Sequence, residues 1–167
     1  MQIERVWNYL MAADQYRSLS PEAVLATLRS LPRRYRAELA NDASLDAGTA
    51  ASAAALVADA AARVTAWADA VHRAAVLEHP SVTVEPATAP AAASIDEALA
   101  ALDAAVAHGA EVIDALPTSA WDRSAAVTGT GTQRTVLELA QDCARTGVEH
   151  LRQLTALLDK SRRDTHS

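Results

Sequence analysis

Phenylalanine is absent from this 167-residue chain, three Trp and three Tyr hold the aromatics at 4%, and cysteine occurs once. Half the residues are hydrophobic, but many of these are alanine, which favours helix while contributing little buried area per residue. A core without large aromatics is therefore thin, and Trp7, Trp67 and Trp121 are expected to matter to it. The lone Cys143 excludes an intrachain disulfide and suits a reducing compartment. Positive charge is short as well: the net charge is −6, the pI is near 5.3, and no clustered Lys/Arg face is visible. That removes the electrostatic footprint of a nucleic-acid binder. No run of about 18 apolar residues is present to span a bilayer. Glu4, Arg5 and Asn8 interrupt the initial "MQIERVWNYLM", which leaves no apolar region of signal-peptide type. The expectation is a cytoplasmic protein with no nucleic-acid and no membrane partner.

What the chain does have is helical periodicity. Its length suits one domain, expected over 1–160, with 161–167 a polar C-terminal tail. Ile3, Val6, Trp7, Leu10 and Met11 predict a short N-terminal helix. Ser20 as N-cap and Pro21 at the first helical position open the next one, whose stripe of Val24, Leu28, Leu31, Tyr35 and Leu39 continues through a kink at Pro32. "NDASLDAGTAA" reads as a break. It precedes a long helix with Val57, Ala60, Val64, Trp67, Val71 and Ala74 inward. On that helix Asp59 with Arg63, and Asp69 with Arg73, have the spacing of surface ion pairs. His72 and His79 near its end read as surface residues. "HPSVTVEPATAPAAAS" reads as a linker with no more than a strand-like connection, running the length of the molecule to join parallel neighbours. A capping box of Ser94 and Glu97 then opens a helix striped with Ile95, Leu99, Leu102, Val106, Ile113 and Leu116, on whose opposite face lies His108. "TGTGTQR" follows no strand, so it is not a phosphate-binding loop.

The clearest helix is "TVLELAQDCARTGVEHLRQLTALL", from Thr135 to Leu158. Thr135 and Glu138 form its capping box, and Val136, Leu139, Cys143, Gly147, Leu151, Leu154 and Leu158 form its apolar side. Its "TV" start after a turn, its "HL", and the Trp121 of "SAWDRS" in the loop before it resemble the last helix of the DinB/YfiT-like family. "YRSLSPEAVLATLRSLPRRYRAELA" looks like the first helix of actinobacterial members, and the resembling stretches together cover most of the chain. The resemblance implies an all-α, DinB-like four-helix bundle, here with the short additional N-terminal helix. It also implies a divalent metal held by three His, one on the second helix and a pair four apart on the last. Some members transfer a low-molecular-weight thiol such as mycothiol or bacillithiol, and members often form homodimers. The Arg-over-Lys and alanine bias, usual in GC-rich actinobacterial genomes, points toward mycothiol.

The chain departs from that pattern at the metal. Two ligands on one helix face need a separation of three or four residues. The last helix offers only His150, preceded at four residues by Thr146, a poor ligand; a register shifted by one gives Arg145 and Glu149. Arginine has no acceptor with which to bind a cation. The second-helix position falls on Asp59. No cofactor is expected, then, and the sharper expectation is a network in which Arg145 sits between Asp59 and Glu149 in place of a metal. The binding candidates are Asp59, Asp142, Arg145, Thr146, Glu149 and His150, for a small-molecule ligand bound or transformed without a metal. The first alternative is a divalent-metal (Zn or Ni) mycothiol-type S-transferase with Asp59 and His150 as ligands. The second is a non-catalytic interaction bundle. Cys143, within the apolar stripe, reads as core and not as a nucleophile.

Overall fold

Side-chain caps fix where the helices begin in the computed structural model, which describes residues 15–41, 45–86 and 91–166. Ser20 accepts from the Ala23 amide at the start of α1 (Pro21–Ala40), which runs unbroken through Pro32. Asp46 accepts from the Thr49 amide and opens α2 (Ala47–Val76). Ser94 does the same for α3 (Ile95–Asp114). The reciprocal Thr135–Glu138 capping box opens α4 (Val136–Thr165). The expected N-terminal helix at Ile3–Met11 lies outside the described residues.

Cross-helix contacts give the directions. Cys143 meets Val64, His150 meets Asp59 and Ser161 meets Thr49, so α4 runs antiparallel to α2. Arg36 pairs with Asp103 and Arg29 with Asp114, so α1 is antiparallel to α3. Arg17, just before α1, reaches Asp142, and Tyr35 reaches Gly147, so α1 and α4 run the same way. It follows that α2 and α3 are parallel, joined by the long crossover of residues 77–94 expected from the sequence. Each of α2 and α1 packs on both α3 and α4, which places α1 diagonally from α2, and α3 diagonally from α4. Leu28, Leu31, Tyr35, Val57, Val64, Leu102, Leu139 and Leu154 fill the centre. At Gly147 α1 comes close to α4: a Cβ there would stand 2.4 Å from Leu31 Cδ1, and Tyr35 Oη donates to the Gly147 carbonyl at 2.6 Å.

Two features differ from expectation. A three-stranded sheet closes one end. β1 (Ser81–Val82) runs parallel to β2 (Ser124–Val127), which pairs antiparallel with β3 (Gln133–Thr135). Val82, Ala125 and Val127 are buried in it, and Gly129 and Gly131 turn the hairpin at φ of 93° and 66°. The first two residues of the "SVTVE" stretch are thus paired, and the loop before α4 is a hairpin. The polar stretch after Leu158 also stays helical as far as Thr165, with Arg162 on Asp159 at 2.7 Å and the Thr165 hydroxyl on the Ser161 carbonyl. No helix among the described residues is long and apolar enough to cross a membrane.

Candidate functional site

The capping box at Thr135 sets the phase of α4, and that phase carries two charged clusters past its neighbours. Cys143, Thr146 and His150 succeed one another on the side turned to α2. Asp142, Arg145 and Glu149 lie on the adjoining flank, toward the segment that leads into α1.

In the first cluster the His150 ring is held at both nitrogens. Nδ1 lies 2.9 Å from the Thr146 carbonyl, one turn back, and Nε2 lies 2.8 Å from Asp59 Oδ2. A carbonyl only accepts, so Nδ1 carries its hydrogen. Burial pushes the Asp59 carboxyl up, but hydrogen bonds from His150 and Arg63 outweigh it and hold the group below the usual carboxylate range. The Asp59 carboxylate thus faces Nε2 across this contact. Arg63 Nε donates to the same oxygen at 3.0 Å, and its other arm reaches Glu85 at 3.2 Å. The Asp59–Arg63 surface pair expected from the sequence forms, but as the middle of a His150–Asp59–Arg63–Glu85 chain.

In the second cluster Asp142 is buried, with its side chain 4% exposed. The Arg17 guanidinium lies 3.0 Å from both of its oxygens and also donates to the Glu138 carbonyl. Gln141 ties the same segment down by donating to the Arg17 and Leu19 carbonyls. Arg145 Nη2 lies 3.4 Å from Asp142, and its Nε lies 3.8 Å from Glu149. The second distance is too long for a hydrogen bond, so the buried Nε–H has no hydrogen-bond acceptor. The expected Asp59–Arg145–Glu149 network does not form. Arg145 projects from the flank facing Arg17, while Asp59 is taken up by His150 and Arg63.

No family model and no curated protein matches the sequence. Among solved structures, YfiT from Bacillus subtilis superposes with a TM-score of 0.69 over 89% of this chain and 91% of that one, at 15% identity. The fold is the DinB/YfiT-like bundle. YfiT is described as a probable metal-dependent hydrolase with an unusual four-helix bundle topology. Protein sites usually supply three or more ligands, and no group of three or more His, Cys, Asp or Glu among the described residues is placed to do so. Asp59 and His150 come together, but each is hydrogen-bonded to the other.

Cys143 is fully enclosed. Burial, reinforced by the charge of Asp142, pushes its thiol up to about 12, and Sγ sits against the Val64 carbonyl. It is core, not a nucleophile. Sequence reasoning missed Arg17 altogether. It lies outside every periodic stretch, and only its contacts with α4 show its part.

Proposed function

We propose that this DinB/YfiT-like bundle binds or transforms a small molecule without a metal ion, on the polar strip of Asp142, Arg145, Thr146, Glu149 and His150 with Asp59 opposite. The observation that carries this reading is the double engagement of His150, whose Nδ1 lies 2.9 Å from the Thr146 carbonyl and whose Nε2 lies 2.8 Å from Asp59 Oδ2, so that both ring nitrogens already have protein partners. The buried Arg145 Nε–H supports it further, since a donor without an acceptor costs free energy that an oxygen of a ligand would recover. The ligand class that fits is a small molecule bearing a carboxylate or another anionic oxygen. Cytoplasmic residence and a homodimer belong to the same proposal; light scattering reads the second.

The test is metal content by plasma mass spectrometry on untagged protein purified without chelator, followed by thermal shift against a panel of thiols, carboxylates and phosphate. Folded, metal-free protein whose Tm rises with an anionic compound is the expected result. Stoichiometric zinc or nickel would overturn it and favour the metal-dependent alternative, the mycothiol-type S-transferase, for whose metal the adjacency of Asp59 and His150 is the support. Metal-free protein indifferent to every compound would favour the interaction bundle.

A further inference from the structure

Because α2 and α3 are parallel, their C-terminal ends meet on one side of the molecule, and between them opens a cavity of about 480 Å³. No residue of α4 lines it, so it is separate from the strip described above. Its floor is apolar: Val76, Val112, Leu116 and Pro117. Val76 is 58% exposed and is one of two large hydrophobic side chains so exposed among the described residues, the other being its neighbour Leu77. Asp69, His72, His108 and Glu111 make the rim. Asp69 is not on Arg73, as the spacing along α2 suggests; it takes the His108 ring across the helix pair at 2.8 Å. Arg73 lines the neighbouring groove instead.

The electrostatics of this cavity are one-sided. Asp69 and Glu111 are its fixed charges, both negative. Helix C-termini carry partial negative charge, which favours a cation in the last turn and disfavours an anion. At the end of α2, Arg123 donates to the Ala74 and Leu77 carbonyls and offsets that charge. The last turn of α3 has no basic residue, and Glu111 and Asp114 stand there instead. Asp114 has Arg29 at 3.9 Å, whereas the Glu111 carboxylate has no ion-pair partner among the described residues. An apolar floor, an unpaired carboxylate and an uncompensated helix end call for one kind of occupant. We propose that this cavity is a binding site for a small apolar cation, such as a primary alkylamine, with its chain on Val76, Val112 and Leu116 and its ammonium on Glu111, beside the His108–Asp69 pair. The volume suits it, since small-molecule sites run from about 300 to 1,000 Å³.

The test is calorimetric titration of the full chain with octylammonium, octanol and octanoate, which share a chain and differ in head-group charge. Octylammonium binds saturably at one site per chain, and octanoate binds at least about tenfold more weakly, because its charge meets two carboxylates and a helix end. Glu111→Gln weakens octylammonium about two- to fivefold and leaves octanol unchanged, the scale of a partly exposed ion pair. Val112→Trp, at a half-buried wall position, blocks both. Equal binding of octanoate and octylammonium would overturn the proposal. So would octylammonium binding unmoved by Glu111→Gln, a surface change that cannot be blamed on misfolding.

Discussion

Arg17→Ala and Arg145→Ala separate the network that forms from the one the sequence suggests. Asp142 is buried with a side chain 4% exposed, so its charge depends on its partners. Arg17 approaches both oxygens at 3.0 Å, while Arg145 stops at 3.4 Å from one of them. Removing one partner of a fully buried pair costs about 3 to 5 kcal/mol. The Arg17 side chain is 30% exposed, and solvent screening lowers the expectation for Arg17→Ala to about 2 kcal/mol. Arg145→Ala is expected to cost less than about 1 kcal/mol, since its contacts are longer and the buried Nε–H it removes was unsatisfied. The assay is urea denaturation followed by circular dichroism, with Asp142→Asn closing a double-mutant cycle against each arginine and Asp59→Asn closing one against Arg145. Coupling should be large for Arg17 with Asp142, smaller for Arg145 with Asp142, and absent for Arg145 with Asp59. An Arg145→Ala loss equal to or above that of Arg17→Ala would refute the assignment.

Three further outcomes follow from the geometry. Gly147→Ala places a methyl 2.4 Å from the fully buried Leu31 Cδ1; overpacking of about 1 to 3 kcal/mol set against a helix-propensity gain of about 1 kcal/mol predicts net destabilisation. Adding Leu31→Val, which lacks that atom, should make the double variant more stable than the summed single losses; strict additivity would contradict the clash. Asp46, through hydrogen bonds from Thr49, Asp103, through Arg36, and Asp59, where His150 and Arg63 outweigh burial, all titrate below their ordinary 3.8. Carboxyls lowered in the folded state add stability that is present above their ordinary value and lost as pH falls through the folded one. Urea midpoints should therefore drop below about pH 4, and Asp59→Asn should flatten that acid limb; an unchanged limb would show that the lowering is absent. Cys143, with its thiol up at about 12, should resist iodoacetamide in native protein and react fully in urea. Rapid labelling of the folded chain would place it outside the core.

Local chemistry made the helices legible. Ser20, Ser94 and the Thr135–Glu138 box cap the helices that their positions suggest, and the stripe of α4 is buried as its spacing requires. The start of α2 at Ala47 was masked because Asp46 and Gly48 sit in a stretch that reads as a turn; Asp46 is an N-cap there. The sheet left almost no signal, since "SAAV" has alanines where a strand usually carries branched residues, and its partner lies more than forty residues earlier in the chain. The pairing of Asp59 with His150 was legible only through the family resemblance. Arg17 and Asp142 are 125 positions apart, and no periodicity reports a contact over that distance.

The diagonal placement of α1 and α2, and of α3 and α4, means that among the described residues no helix forms a hairpin with the next one in the chain. The one adjacent consecutive pair, α2 and α3, is parallel and must wait for its crossover. The contacts between helices therefore span long sequence separations, and folding should be slower than in an up-and-down bundle of this size. The 30 residues of α4 leave the ribosome after the other three helices. Until they do, the flank of α2 that receives them, with Asp59 and Val64 on it, stays uncovered, and transiently exposed apolar surface of that kind is where a chain aggregates.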